Sequence, residues 1–165
     1  MNDSIYERCN TVEIAECTLE TCEQEKPTRE LAFKLQQAMQ EGLDAGDFVT
    51  VDCPLIHTFS KDSYARSIFI PKGSKLVGKT HRHRHLLIMS SGDVSMTTDD
   101  GFERLKGFNV RDSQAGIKRC VYAHEDTIIT TIHLTSETDL AKIEEDVIVP
   151  DTDLLEESKK IGGVL

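Results

Sequence analysis

The feature that most constrains the fold is a run of short apolar segments, separated by turn residues, that extends from Phe48 to Leu134. Asp100-Gly101 predicts a tight two-residue hairpin turn, and Pro71-Lys72-Gly73 and Ser91-Gly92-Asp93 predict further turns. Many short strands without intervening helices predict an antiparallel sandwich or barrel. The candidate strands are residues 48–51, 64–70, 75–78, 81–89, 93–98, 102–105, 107–110, 117–122 and 127–134.

Helical patterns flank these strands. Residues 27–46 repeat apolar side chains at steps of about four, which predicts an amphipathic helix that Thr28 caps and Gly46 ends. Its predicted buried stripe is Leu31, Leu35, Ala38 or Met39, and Leu43. A short helix is predicted after Thr135, where Ser136 and Asp139 form a near capping box. Its packing side is predicted to contain Leu140, Ile143 and Val147.

The two ends of the chain are polar and acidic. Residues 1–26 are predicted to be an extended or weakly helical arm, residues 47–150 the barrel domain with its terminal helix, and residues 151–165 an acidic tail. Residues 1–25 carry seven acidic side chains and one basic, whereas residues 55–85 carry one acidic and seven basic. Contact between copies would pair these opposite charges, so we expect a homo-oligomer or a larger protein assembly in which neighbours hold the arm and tail.

Composition argues against several classes of protein. A net charge of −10 disfavours nucleic acid as a partner. The longest apolar runs fall far short of the ~20 residues of a membrane span, so no membrane partner is expected. The N-terminus has acidic residues where a signal peptide has basic ones. The five cysteines, Cys9, Cys17, Cys22, Cys53 and Cys120, form no Cys-x-x-Cys pair and are interpreted as reduced thiols of a cytoplasmic protein.

The sharpest local feature is the sequence Lys-Thr-His-Arg-His-Arg-His at residues 79–85. In a regular strand, His81, His83 and His85 share one face, and three imidazoles inside a barrel are a ligand set for one divalent transition metal, Zn, Fe, Mn or Ni. An irregular strand would instead place His81 and His85 together with His83 pointing out. The sequence leaves both geometries open, as well as histidines that pack without metal.

These residues resemble a motif of the cupin superfamily, in which a glycine precedes His-x-His and a later glycine follows. The matching elements are Gly73 or Gly78, His81-Arg82-His83 and Gly92. The resemblance covers about residues 53–150 and implies a double-stranded β-helix, or jelly-roll, barrel. A narrower group, small cupin-like proteins encoded by bacteriophages, is similar at Tyr64-Ala65-Arg66, Ile68-Phe69-Ile70-Pro71, Gly73, Gly78-Lys79, His81, Ala123-His124-Glu125-Asp126-Thr127 and Thr130-Thr131-Ile132-His133.

The chain departs from the cupin pattern at its metal ligands. No acidic residue occurs between Leu86 and Ser91, where the family has a glutamate. In the second motif, Gln114 replaces the proline and Arg119 replaces the histidine ligand, so Arg119 is expected near the barrel mouth. With these ligands missing, the candidate metal residues are His81, His83, His85 and His124.

Three functions follow from these features. The eroded motif and the charge-segregated ends favour a non-catalytic structural or interaction protein, a virion component of a bacteriophage present in the host cytoplasm and the particle. The histidines favour a metal-dependent enzyme of isomerase or dioxygenase type. A small-molecule-binding module would need only the barrel mouth.

Overall fold

The computed structural model describes residues 11–13, 29–98 and 101–152. It confirms the predicted fold class, a mainly β domain of antiparallel strands with a helix before the barrel and a short helix after it. The helices are α1 (Arg29–Ala45) and α2 (Leu140–Val147). The strands are β1 (Thr11–Glu13), β2 (Val49–Val51), β3 (Leu55–Ser60), β4 (Ser63–Ile70), β5 (Ser74–Val77), β6 (Thr80–His81), β7 (His85–Thr98), β8 (Gly101–Lys106), β9 (Asn109–Ser113), β10 (Cys120–His133) and β11 (Ile148–Val149).

Two long strands, β7 and β10, pair with each other and organise the barrel. The first part of β10 pairs with β5 and its last part with β4, while β7 pairs first with β9 and then with β8. Register shifts interrupt the β7–β10 pairing at three places, and such bulges bend strands. One five-stranded sheet therefore has the order β3-β4-β10-β7-β9, and a second sheet contains β2, β1, β5, β10, β7 and β8.

The apolar core lies between these two sheets. Apart from Cys53, which lies between β2 and β3, its buried members come from strands of both sheets and form one interior. They are Cys53, Ile70, Leu76, Leu87, Met89, Val94, Met96, Leu105, Val121, Ala123 and Ile129.

The turn predicted at Ser91-Gly92-Asp93 is wrong, because β7 runs through these residues. Gly92 has a φ of +120°, and a Cβ atom there would lie 2.1 Å from Thr127 Oγ1 of β10. The glycine permits the close approach of two bent strands, so its sequence signal marks a bulge rather than a chain reversal.

Other boundaries also change. The predicted strands 117–122 and 127–134 are joined in β10, whereas the predicted strand 81–89 is broken at residues 82–84. No strand was predicted at β3, because its outward side chains are mixed in polarity. The predicted hairpin is present as the β7–β8 pair, but Gly101 pairs with Thr98, so the two connecting residues are 99–100 and the predicted turn is displaced by one position. Asp100 itself lies outside the described residues.

The first helix covers one side of the barrel. Gly46 follows α1 with a φ of +79°, as predicted for the residue that ends the helix, whereas Thr28 lies outside the described residues. Ala32 and Met39 are buried, while Leu31 is 38% exposed, so the buried stripe is displaced by one residue at its start. The predicted alternative Ala38 is exposed.

The second helix begins at a different cap from the one predicted. Asp139, not Ser136, is the N-cap of α2, and its Oδ1 accepts hydrogen bonds from the backbone amides of Ala141 and Lys142. The helix buries Ile143 and Val147 against Tyr64 of β4 and so covers the end of the barrel where β4 begins.

Only a small part of each chain end is described. Within the predicted arm, β1 pairs with β2 and β5 of the same chain, and the remaining arm residues and residues 153–165 lie outside the description. The described part of the chain contains no helix that is long and apolar enough to cross a membrane. Assembly through the arm and tail stays a prediction.

Candidate metal centre and its cavity

Three histidines from different strands meet on the inner face of the five-stranded sheet. Ile132 of β10 pairs with Leu86 of β7, which places the next inward residue of β10, His133, beside His85. His81 reaches them from β6, which is held by its pairing with β11. The ring centroids lie 4.1 Å apart for His81 and His85, 5.0 Å for His81 and His133, and 4.9 Å for His85 and His133.

The nitrogen atoms of this cluster are suited to bind a metal ion. One candidate donor atom from each histidine lies within 4.8 Å of the other two. His85 Nδ1 lies 3.1 Å from the backbone oxygen of His83; because a carbonyl only accepts, Nδ1 carries the proton and Nε2 keeps its lone pair. His81 Nδ1 is buried and has no hydrogen-bond partner among the described residues.

The surroundings keep all three imidazoles neutral. Burial, followed by the charges of His85 and His133, lowers the pKa of His81 to about 2. Burial also lowers the pKa of His133 to about 4, with a further contribution from His85. The pKa of His85 is lowered by burial too, although its hydrogen bond to His83 opposes the shift. Neutral imidazole is the form that coordinates metals.

A second layer of aromatic rings supports His133. The ring of Tyr64 is stacked on that of His133 at 6.2 Å and on that of His57 at 5.8 Å. The hydroxyl of Tyr64 and Nδ1 of His57 are hydrogen bonded at 2.6 Å, and both residues are buried. Such a support fixes the orientation of a candidate ligand.

The structure brings together two of the four predicted site residues, His81 and His85. His83 is exposed on the bend between β6 and β7, with Nε2 3.8 Å from Asp146, so the three-histidine alternating strand is wrong and the irregular alternative is confirmed. His124 lies apart from the cluster: its Nε2 is hydrogen bonded to Ser95 Oγ at 2.8 Å, and its ring edge meets Tyr122.

Sequence reasoning missed His133, which lies 48 positions after His85. His133 can be recognised as a site residue only from the pairing register of two strands, because it becomes a neighbour of His85 once β10 is aligned beside β7. Residues 130–133 belong to the stretches of resemblance given above, but their strand-like alternation does not mark His133 as a metal ligand.

A cavity of about 450 Å³ adjoins the histidines and lies between α1 and the barrel interior. His81 and His85 line it, and so does Arg119, as predicted. The guanidinium of Arg119 donates to the backbone oxygen of Thr97 at 2.7 Å and to Ser113 Oγ at 2.8 Å. The other polar lining is unusually basic and includes Arg66, Lys79 and Lys118 with one carboxylate, Asp151.

Lys118 is the most buried cation of the cavity. Its side chain is 2% exposed, and its ammonium group lies 2.8 Å from a carboxylate oxygen of Asp151 and 4.9 Å from the ring centroid of Phe33. The pairing satisfies a charge that would be costly to bury alone.

The cysteines of the described residues take no part in this site. Cys53 and Cys120 are buried and form no disulfide within the described residues, and burial raises the pKa of Cys120 to about 11. A thiol in that state is a poor metal ligand. Cys9, Cys17 and Cys22 lie outside the described residues.

No protein-family model and no curated protein matches this sequence. Similar solved structures include an RmlC-like cupin from Shewanella frigidimarina, with 15% identity over 53% of this chain and 78% of that chain and a TM-score of 0.44. Another is an RmlC-like cupin family protein with a double-stranded β-helix fold from Methanocaldococcus jannaschii, with 12% identity, 50% and 81% coverage and a TM-score of 0.40. A third is a predicted oxalate decarboxylase from Thermotoga maritima, with 15% identity, 52% and 83% coverage and a TM-score of 0.43. No functional conclusion follows from similarities at this level.

Proposed function

We propose that this chain is a metal-dependent protein that binds a small molecule in its barrel, with His81, His85 and His133 as the ligands of one divalent transition metal. The observation that carries the proposal is the convergence of three neutral imidazoles from β6, β7 and β10 beside a cavity of about 450 Å³. A cavity of this volume is typical of small-molecule sites.

The donor set fits a transition metal. Imidazole suits Zn, Fe and Ni, and three protein ligands leave coordination positions for a small molecule. Imidazole nitrogens lie about 2 Å from such a metal, so donor atoms spread over 4.8 Å need small side-chain rotations to share one ion. When bound, a metal of this kind polarises an oxygen of the ligand or activates water.

Other residues of the chain would orient the ligands and form the cavity wall. The backbone oxygen of His83 keeps the proton on Nδ1 of His85, and Tyr64 supports the ring of His133. Helix α1 contributes Met39 and Leu43 to the cavity wall. The structural role favoured by the sequence is thus replaced, in this proposal, by the metal-dependent alternative.

Metal titration of single variants tests the proposal. Purified protein, stripped of metal, is titrated with Zn²⁺ against a chromogenic chelator. We expect one equivalent to bind and the affinity to fall at least 100-fold in His81→Ala and in His133→Ala. The matched controls are His83→Ala and His124→Ala, which remove histidines outside the cluster and should leave the affinity within threefold of wild type. Unchanged affinity in His133→Ala, or loss in His124→Ala, would contradict the proposal.

A second candidate function, self-association, is favoured by the outer face of the same five-stranded sheet. Its outward positions are mostly apolar, and several large side chains are open to solvent: Ile56 is 46% exposed, Phe69 37%, Leu86 46%, Val110 51% and Ile128 38%. The polar side chains at its centre satisfy each other, because Ser67 Oγ and Thr130 Oγ1 are 2.7 Å apart. Contiguous exposed apolar patches commonly mark interaction sites.

We propose that a second copy of the chain covers this outer face. Five strands about 4.8 Å apart and about 20 Å long make a patch of about 480 Å² per partner, the size of a small interface of less than ~1,200 Å² in total. The same patch on both copies forms a two-fold interface. Its charged pair, Arg84 with Asp112 beside Leu86, is neutral overall, which avoids repulsion between chains of net charge −10.

Sedimentation of the full-length protein between 1 and about 200 µM separates this interface from the arm and tail. An apolar interface persists in 1 M NaCl, whereas pairing of the acidic ends with the basic segment is lost there. Leu86→Glu should yield a monomer, and Val49→Glu, an exposed position on β2, should not. A monomer at all concentrations, or a dimer unaffected by Leu86→Glu, would refute the assignment.

A role in a virion and a cytoplasmic location stay predictions.

A further inference from the structure

Arg66 lies at the junction between the histidine cluster and the cavity. It occupies an inward position of β4, half-buried, beside Thr131 of β10. Its side chain lines the large cavity and also a small one of about 30 Å³ that His81 and His133 share. Its positive charge reaches both histidines and helps to lower their pKa values.

No hydrogen bond or ion pair partners the guanidinium of Arg66 within residues 29–98 and 101–152, which sets it apart from other arginines of the barrel. Arg104 is paired with Asp93 at 2.8 Å, and Arg111 with Glu103 at 2.5 Å. Arg84 is paired with Asp112. Arg66 is half-buried and faces a cavity without a protein partner among the described residues, so its guanidinium has donors available for an anionic ligand.

We propose that Arg66 anchors the carboxylate of a small organic acid whose apolar body lies in the cavity, a substrate class that rests on the metal-dependent function proposed above. The cavity wall offers apolar contacts for such a body, including Leu55, Ile68, Ile70, Leu76 and Leu87. A guanidinium matches the two oxygens of a carboxylate with two parallel hydrogen bonds.

The charges of the wall explain why a carboxylate is favoured over a phosphate. Lys118 is paired with Asp151, and Lys79 with Glu144, so these cations are already compensated. Arg119 donates to the backbone of Thr97 and to Ser113. Among the cations of the wall, Arg66 is the guanidinium with donors left for a ligand, and these match the two oxygens of one carboxylate. A phosphate dianion requires more free donors than this one group supplies.

NMR titration of the ¹⁵N-labelled protein, zinc-loaded and metal-free, tests the assignment with three probes: butyrate, its neutral analogue butyramide, and inorganic phosphate. We expect butyrate to bind and to shift the Nε–H resonance of Arg66, with butyramide and phosphate at least tenfold weaker. Arg66→Gln should weaken butyrate at least tenfold, and Arg66→Lys should retain part of the binding, because lysine keeps the charge and loses the paired geometry. The matched control is Arg111→Gln, a half-buried arginine with its own carboxylate partner.

The outcomes separate this inference from the metal site. If zinc fails to bind while butyrate still shifts Arg66 in the metal-free protein, the metal-dependent function is wrong and the anion anchor stands. If zinc binds normally to Arg66→Gln and butyrate binds that variant as tightly as wild type, the anchor is wrong and the metal site stands. Equal affinity for butyrate and butyramide, or preference for phosphate, would also overturn the assignment.

Discussion

The two ends of the barrel interior differ sharply although the same strands build both. Along β4 the inward side chains change from Ile70 and Ile68 to Arg66 and Tyr64, and along β7 they change from Met89 and Leu87 to His85. Strands β3 and β10 repeat the change, from Leu55 to His57 and from Ile129 through Thr131 to His133.

Within one interior, the apolar end contributes stability and the polar end is the part for which we expect a function. The apolar end buries large aliphatic side chains and supplies the hydrophobic stabilisation of the domain. The polar end buries a tyrosine and three histidines, Tyr64, His57, His85 and His133, and also contains the half-buried Arg66 and His81. Since buried polar groups are the informative exceptions in a folded protein, the polar end is the part of the interior that requires a functional explanation.

The largest expected effect is at the apolar end. Ile70 is fully buried, and Ile70→Ala should lower the free energy of unfolding by about 3 kcal/mol, since it removes buried methyl groups and leaves a cavity. Urea denaturation of the metal-free protein measures it. A decrease in the free energy of unfolding of less than about 1 kcal/mol would show that the apolar end is loosely packed and is not the main source of stability.

Metal binding at the polar end should raise the free energy of unfolding by nearly as much as Ile70→Ala lowers it. Zinc at 100 times its dissociation constant should raise the free energy of unfolding by about 2.7 kcal/mol, because the folded state alone presents the three histidines together. Thermal melts with and without zinc measure the gain, which should vanish in His133→Ala and persist in His124→Ala. An equal gain in both variants would place the metal elsewhere.

Acid should destabilise the metal-free protein through the polar end. The pKa of His133 is about 4 in the folded state, below the ordinary value of about 6.5 expected when unfolded. Above pH 6.5 the histidine is neutral in both states; below it, the unfolded state takes up the proton first, so stability falls until about pH 4. The slope from His133 is at most about 1.4 kcal/mol per pH unit. The free energy of unfolding should change less between pH 7 and pH 5.5 in His133→Gln than in wild type. An equal change in both proteins would contradict the lowered pKa of His133.

The smallest expected effect also belongs to the polar end and has the opposite sign. Thr131 Oγ1 is buried and has no hydrogen-bond partner among the described residues. Thr131→Val keeps the shape and removes the unsatisfied hydroxyl, so it should stabilise the metal-free protein by about 0.5–1 kcal/mol. Urea denaturation gives the value, with Thr58→Val on the exposed face of β3 as the control. A destabilisation would mean that the hydroxyl is satisfied in solution.

Most of the fold could be predicted from the sequence because its determinants are local. Alternating side chains predict strands, and the repeat of apolar residues up to Gly46 predicts α1. Errors arose where a local signal had a tertiary cause. Gly92 indicated a turn but serves the close approach of β7 to Thr127, and Asp139 caps α2 in place of Ser136.

Half of the candidate site could be predicted, because His81 and His85 lie in one conspicuous sequence. The other half depends on the pairing register of distant strands, which the local sequence does not encode. His133 and Arg66 lie on β10 and β4, and they reach the site because these strands pair with each other and β10 also pairs with β7. His124, chosen for its chemistry alone, lies too early on β10 to reach the cluster and faces Ser95.

A crystal structure of the protein soaked with zinc, with an anomalous difference map recorded at the zinc absorption edge, would locate the metal site. We expect one dominant peak with the nitrogens of His81, His85 and His133 about 2 Å away. A dominant peak at His83 and Asp146, at His124, or at the N-terminal cysteines, with none between the three histidines, would contradict it.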